Sequence, residues 1–504
     1  AAGCRTGMWL VTKAVGSVAS NVTAVDVDTR CWTLERRSRF VAALDDTQVA
    51  TLRSQPWLLE PACCGYRLEP LCWESLSEYA RCCFADLGDM VRKPPPRWMT
   101  SEIEADFRWW RARGMVIRPG LVDDVGKRGR VLCRLRVAHN ELQDCDRQTV
   151  RSLQNDDYKW GEWGKQYLGT KTAIQILLAV APGKLEGLDV LLSPEIYDDA
   201  DYRVPVLVKG AAFFAKNLIR IPTFELYSRF LRDKAARFDA SDIPWERRKA
   251  IVFWRGGLRS FTRCGCPHGQ WPHPSQLRIG DFVDRQQPGQ RGDPGHGHCA
   301  EGVDAPGCRG DSWCEDTGSC DLSGCECQRH VTNVTTWAHS NRVKVALISA
   351  ANPDLVDAKI SYVPASYDSI RQRLLDEGCL SAPGEDTSEP VHLGYKYLLD
   401  IDGSTISDTR FYWILLTKSV MFKQITGLVP YGLGGMEPYV HYIPVRDDLS
   451  DLLDKVQWAR NNDAQVRRIA ENAYRFASHH FRYEKDVLHY LYRVLLTYHS
   501  LQRT

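Results

Sequence analysis

The sequence predicts an α/β protein built on parallel sheets with both faces covered. Two observations carry this. Short apolar runs bounded by Pro and Gly, at residues 188–192, 204–208 and 250–254, have the length and continuity of strands buried on both sides. Segments with helical spacing lie between and after them, so strand and helix alternate along the chain. The composition agrees: 44% hydrophobic and 25% charged residues describe a globular chain rather than a disordered one.

The elements follow in order. Residues 1–100 form a Cys- and Trp-rich N-terminal region ending in the stiff run Lys93-Pro94-Pro95-Pro96, which marks a domain edge. Residues 131–137 read as a strand and 168–180 as a buried helix, followed by the strands at 188–192 and 204–208. The strand at 250–254 runs into Arg255-Gly256-Gly257. Residues 264–339 then lose all periodic apolar signal, being rich in Gly, Pro, His and Cys, and read as an insertion. A helix at 341–350 with Ser340 as its cap resumes the pattern. A strand at 395–401, a helix at 409–419, a strand at 440–445 and helices at 449–458, 463–479 and 483–499 complete it. The 504 residues divide into the N-terminal region 1–100, a first α/β domain 101–240, a second 241–480 interrupted by 264–339, and a C-terminal helix within 481–504.

The balance of 65 basic against 63 acidic residues, a net charge of +2, gives no clustered excess for a nucleic-acid partner. The longest apolar stretch, near 173–181 and containing Gln175, falls short of the ~18–20 residues that span a bilayer. The 18 cysteines point to an oxidising compartment. Two acceptor patterns for N-glycosylation, at Asn21 and Asn333, agree with it. The expected setting is the secretory pathway lumen or beyond, with the chain a processed ectodomain and membrane attachment only through an anchor removed with the N-terminus. Eight cysteines fall between Cys264 and Cys327, nine precede them, and Cys379 stands alone. Full pairing would therefore make the insertion its own cross-linked module and tie Cys379 to the N-terminal part. Zinc is the rival reading for Cys264, Cys266, Cys325 and Cys327 with His268, His273, His296 and His298. The Cys-x-Cys spacing and the compartment favour disulfides, so no metal is expected.

Ligands of open α/β sheets bind beyond the carboxyl ends of strands. Three places fit: Phe253-Trp254-Arg255-Gly256-Gly257, where glycines allow close approach and Arg255 can grip phosphate oxygens; the loop from Asp400 to Arg410; and Pro438 to Val445, with His441. Each has an ordinary alternative: a plain turn, a capped helix start at Ser407 or Asp408, and a structural histidine.

These residues resemble glycosyltransferase family 90, which includes the Rumi-type protein O-glucosyltransferases and fungal capsule-associated proteins. The resemblance rests on Lys396-Tyr397-Leu398-Leu399-Asp400, the Asp402-Gly403 loop with Ser407 and Arg410, and Val440-His441-Tyr442-Ile443-Pro444-Val445 with Asp448-Leu449. Pro244-Trp245, Phe253 to Gly257 and Asn352 to Ala358 precede them in the family's order. The family implies a GT-B-like arrangement, two Rossmann-like domains facing a cleft, with the last helix returning to the first domain. It implies transfer of a sugar, glucose or xylose, from a UDP-sugar to a hydroxyl of a protein or glycan in the ER or Golgi, without metal or cofactor. Carried over, Arg255, Gly256, Gly257, Gly403, Ser404, Thr405, Ile406, Ser407 and Arg410 would line the donor site. The family's second arginine falls on Arg263 counting forward and on Arg342 counting back from Asn352. Arg342, which opens the following helix, is preferred.

Such transfer needs donors for the departing diphosphate and a carboxylate for the acceptor proton. The family's base position, two residues before a proline on a strand of the first domain, holds Leu192 here. Asp189 lies on the opposite strand face by alternation. Glu195, Asp198, Asp199 and Asp201 on the following loop are further candidates, or solvated loop charges. The missing carboxylate motivates an alternative: an inactive protein of the same fold that binds a glycan or protein partner through its Cys-rich insertion.

Overall fold

The computed structural model describes residues 76–84, 86–112, 114, 116–117, 133–143, 145, 157–193, 204–212, 217–227, 230–258, 261–265, 326–330, 340–364, 368–403, 406–407, 409–426, 428–482 and 484–502. Two five-stranded sheets organise them.

Helix α1 (Arg97–Ala112) precedes the first sheet. The first sheet holds β1 (Cys133–Ala138), β2 (Glu141–Gln143), β3 (Asp189–Leu192), β4 (Val206–Val208) and β6 (Leu218–Arg220), in the order β2-β1-β3-β4-β6. Strands β3, β4 and β6 are parallel, whereas β1 pairs antiparallel with both β2 and β3. Between β2 and β3 runs α2 (Asp157–Val180). It begins eleven residues before the expected 168, because Trp160, Gly161, Trp163 and Gly164 break the apolar pattern there without breaking the helix. Its buried Gln166 holds the segment after β6, donating to the Pro222 carbonyl at 3.2 Å and accepting from Phe224 N at 2.9 Å.

Past β4 the chain continues through Lys209 into β5 (Gly210–Ala212). This strand pairs antiparallel with β13 (Leu428–Pro430), and so joins the two halves of the molecule. Helix α3 (Phe230–Ala240) leads to β7 (Lys249–Gly257). The second sheet contains β7, β10 (Val356–Tyr362), β11 (Tyr395–Asp400), β12 (Val420–Ile425) and β14 (Ile443–Arg446), all parallel, in the order β10-β7-β11-β12-β14. Counted along the chain this is 2-1-3-4-5, a doubly wound order whose reversal point lies between β7 and β11. Between β7 and the crossover helix α4 (Asn341–Ala351), β8 (Phe261–Gly265) and β9 (Glu326–His330) pair antiparallel, so the two ends of the intervening segment meet beside the end of β7.

Helix α5 (Thr409–Ile414) stops five residues short of the expected 419. Lys418, at φ 58°, turns the chain into β12 instead. Strand β14 starts at Ile443 rather than 440, because Tyr439 at φ 59° and a bond from its N–H to the Tyr442 carbonyl make a turn of the preceding residues. Helices α6 (Leu452–Asn461) and α7 (Asp463–His480) cover the second sheet. The last helix, α8 (Glu484–Ser500), returns to the first sheet, where the Tyr498 hydroxyl donates to the Pro205 carbonyl at 2.9 Å.

The core follows the strand alternation. On β7, Val252 and Trp254 face one apolar cluster with α4, α6 and β10, while Phe253 faces a second that runs without a break into the first sheet and α8. Burial on both faces explains why β7 reads as an unbroken apolar run. Glu102 of α1 adds a polar clamp. Its fully buried carboxylate accepts from Gly432 N at 3.0 Å and Gly434 N at 3.2 Å. Arg220, at the end of β6, pairs with Glu102 at 3.3 Å and with Asp106 at 2.7 Å. Only glycine fits at 432, where φ is +83° and a Cβ would stand 2.4 Å from the Phe481 ring.

Cys133 and Cys145 form a disulfide across the β1–β2 hairpin, and Cys82 and Cys83 are also disulfide-bonded. The expected tie from Cys379 to the N-terminal part is wrong: Cys379 is a free thiol. It is wholly buried in the cluster behind β10, where it packs as a small apolar side chain and burial raises its pKa to about 11. The expected cross-linked insertion lies outside the described residues apart from β8 and β9, and so do Asn21 and Asn333. Among the described residues, no helix is long and apolar enough to cross a membrane.

Candidate functional site

The chain leaves β7 and β11 in opposite directions, which opens a crevice at the carboxyl edge of the second sheet. Trp254 is buried beneath the end of β7. The indole lies back across Gly256, where a Cβ would stand 2.5 Å from the ring, so glycine is required at 256 to seat tryptophan rather than to admit a phosphate. Two guanidinium groups flank this ring, Arg342 and Arg410, each 5.7 Å from its centroid.

Arg342 stands in the first turn of α4 and donates to the Gly257 carbonyl at 2.7 Å. Arg410 opens α5, and its Nη2 donates to the Arg255 carbonyl at 2.6 Å while its buried Nη1 has no partner. Burial lowers the pKa of Arg410, and Asp400 and Glu389 oppose the shift. Around the pair lie further buried polar atoms without partners: Trp254 Nε1, Ser407 Oγ and Ser340 Oγ. Ser340 precedes α4, as its sequence position predicts, but its hydroxyl makes no capping bond. A guanidinium nitrogen, two hydroxyls and the start of α4 are groups of the kind that bind anion oxygens.

The loop after β11 is shaped from beneath. Asp402 accepts from Ser407 N at 2.8 Å and from the Thr426 hydroxyl at 2.5 Å. Lys423 of β12 lies 3.0 Å from Asp400 and 3.2 Å from Asp402, all three side chains fully enclosed. Burial pushes the Asp402 carboxyl up, and Lys423 pulls it back. Gln424 donates to the Asp447 carbonyl at 2.7 Å, and Asn341 donates to the Asp447 carboxylate at 3.3 Å. The ends of β11, β12 and β14 and the start of α4 are thus laced into one polar layer.

Arg255 occupies the crevice differently from its expected part. All five donors are engaged: Nε and Nη2 with Glu385, Nη2 also with Asp357, and Nη1 with the carbonyls of Trp254 and Asp357. None is left for a phosphate, so the residue contributes through its carbonyl, which holds Arg410. Gly257 contributes likewise through its carbonyl to Arg342. Gly403 is buried, and Ile406 packs on Gly210 of the first half, where a Cβ would stand 2.9 Å from its Cδ1. Ser404 and Thr405 lie outside the described residues.

The facing edge of the first sheet offers no carboxylate at the expected strand end. Leu192 is fully buried, with Cys133 and Leu207 beside it in the sheet. Asp189 sits at the other end of β3, gripped by Arg134 (Nε to Oδ1, 2.8 Å), and its N–H donates to Gln502. Glu195, Asp198, Asp199 and Asp201 lie outside the described residues. Sequence reading passed over Lys209. It follows β4 at the same carboxyl edge, is wholly buried and stands next to Gly210, the residue that touches Ile406. The carboxyl-end rule applied to the run 204–208 would have found it. It also passed over His392, whose ring packs edge-on to Phe253 and Trp413 with Nε2 buried and unpartnered. Among the described residues no group of three or more His, Cys, Asp or Glu is placed to hold a metal.

Fold and site define an α/β protein with two arginines and unpartnered donors gathered at the switch point of a parallel sheet. Residues 336–504, one third of the chain, match Glycosyl transferase family 90. This segment contains Arg342, Ser407 and Arg410, whereas Arg255 and Leu192 lie outside it. The chain is 37% identical over 110 residues to protein O-glucosyltransferase 2 of Danio rerio, covering 22% of each chain. It is 30% identical over 171 residues to protein O-glucosyltransferase 3 of Rattus norvegicus, covering 33% of this chain and 30% of the relative. It is also 35% identical over 161 residues to the uncharacterized protein 035R of Invertebrate iridescent virus 3, covering 30% of this chain and 14% of the relative. The matched segments therefore span less than a third of these relatives' lengths.

Proposed function

We propose that the chain transfers a sugar from a UDP-sugar to a hydroxyl of a protein acceptor in the lumen of the secretory pathway. The observation that carries this is the Arg342–Trp254–Arg410 stack at the switch point, with Arg410 Nη1 and Ser407 Oγ unpartnered beside it. The names of the relatives favour glucose over xylose as the sugar and a protein over a glycan as the acceptor. In this reading the second sheet with its helices, within 241–480, is the donor half of a GT-B-type enzyme and 101–240 the acceptor half.

As the glycosidic bond breaks, negative charge gathers on the leaving diphosphate. Arg410 and Arg342, already in place in a poorly solvated crevice, stabilise that charge without reorganising. No cofactor is required, and guanidinium charge takes the part that a metal plays in other transferases, so a chelator is expected to leave the rate unchanged. The acceptor hydroxyl must lose a proton, and with Leu192 at the family position the base comes from another residue of the acceptor side.

A transfer assay across UDP-sugars, reading released UDP, tests the reading, and turnover with UDP-glucose is expected. Arg410→Ala is expected to weaken UDP binding at least a hundredfold in calorimetry, since it removes one charge-assisted contact and the group that orders its neighbours. Undiminished affinity would show the donor site to be elsewhere. The apolar Leu192 favours one second reading, a protein that binds UDP-sugar or a glycan without transferring it. UDP binding without turnover on any donor would select that reading.

A further inference from the structure

Strand β12 carries a lysine where a doubly covered parallel strand calls for an apolar residue. Lys423 is flanked in sequence by Phe422 and buried Gln424, with its side chain 2% exposed. Enclosing an ammonium in a sheet core costs several kcal/mol unless its partners are well placed. Here both partners are buried carboxylates at the end of β11 and just beyond it: Asp400 at 3.0 Å and Asp402 at 3.2 Å. Each leads to one of the unpartnered donors above. Asp402 fixes the N–H of Ser407 at 2.8 Å, and Ser407 carries one free hydroxyl. Asp400 ends β11, and Arg410, which carries the free Nη1, opens the helix that follows its loop. The Thr426 hydroxyl closes the arrangement on the second oxygen of Asp402, and Gln424 accepts from Asp402 N at 3.3 Å.

We infer that Lys423 is a positioning residue for the donor diphosphate: through Asp402 it sets Ser407 and the loop that leads to Arg410. The inference rests on the donor-site reading above and assigns the control of its affinity to a side chain that never touches the ligand. One ammonium between two carboxylates leaves a single net negative charge, which balances Arg410. Without Lys423 the two carboxylates repel each other, and Asp402 loses the partner that holds it beneath Ser407. A merely structural lysine would change the unfolding midpoint and leave the ligand affinity of the folded protein alone.

The test uses the full chain with UDP as the probe, by calorimetry, alongside urea unfolding of each variant. Lys423→Met is expected to weaken UDP binding about tenfold or more. The near-isosteric Thr426→Val, which removes one bond to Asp402, is expected to weaken it about threefold to tenfold while the protein stays folded. Wild-type affinity in folded Thr426→Val and Lys423→Met would overturn the inference. If Lys423→Met does not fold, Thr426→Val decides alone. Failure of the unaltered chain to bind UDP would overturn the donor reading itself, a result distinct from normal binding by the variants.

Discussion

The two sheets solve the same geometric problem with opposite chemistry at their carboxyl edges. At the second sheet, strand ends and helix starts carry Arg342, Arg410, Ser407, Asp402, Lys423 and Thr426, linked in one polar layer with donors to spare. At the first, β3 ends in buried Leu192, Arg220 at the end of β6 is spent on Asp106 and Glu102, and Lys209 after β4 is buried. One edge keeps unspent donors; the other, among the described residues, ends its strands without a free carboxylate.

The largest effect should come from breaking the structural side of this contrast. Glu102 is wholly buried, holds two backbone N–H groups of the 432–434 turn, and has its pKa raised by burial to about 7. Glu102→Ala leaves Arg220 with Asp106 alone and both amides uncovered. It is expected to lower unfolding stability by roughly 3–5 kcal/mol, measured by urea unfolding, the range for a broken buried ion pair. A loss below 1 kcal/mol would mean that the clamp does not hold the halves together.

A smaller effect sharpens the donor side. His392 is kept neutral, its pKa pushed from 6.5 down to about 3, first by burial and then by Arg410. Below pH 6.5 the unfolded chain binds a proton that the folded chain does not. Stability is therefore lost as pH falls from 6.5 toward 3. Going from pH 7 to pH 5 this residue accounts for about 2 kcal/mol of loss, and His392→Gln is expected to remove that share of the slope in urea titrations at the two pH values. An unchanged slope would mean that His392 is solvated.

The smallest effect concerns the first sheet's nearest carboxylate. Asp189→Asn is expected to leave transfer unchanged and to cost at most about 1 kcal/mol of stability, because Asp189 lies at the wrong end of β3 in a part-exposed pair with Arg134. A hundredfold fall in kcat with KM unchanged would make Asp189 the base.

How much of this was legible depended on whether a residue's partners were near in sequence. Strand β7 was legible because its burial on both faces leaves an unbroken apolar run. Strand β12 was not, because Lys423 and Gln424 interrupt the run, and the carboxylates that neutralise Lys423 sit far back in sequence, Asp400 at the end of β11 and Asp402 on the loop after it, 21 residues earlier. Arginines at strand ends could be picked out by type, but not which of them were spent. Arg255 meets Asp357 and Glu385 only in the fold, while Arg410 keeps a free nitrogen. Gly256 shows the same limit. The need for glycine was visible, but the indole that imposes it comes from two residues earlier on the same strand face. Cysteine counting failed at Cys379 because parity cannot distinguish a cross-link from a buried thiol.

The central claim is the place of the donor, and a crystal structure of the chain with UDP tests it most directly. The diphosphate is expected within hydrogen-bonding distance, about 3 Å, of Arg410 Nη1 and Ser407 Oγ, with Arg342 on its other side. A diphosphate bound at the edge of the first sheet, or out of reach of Arg410, would contradict the account.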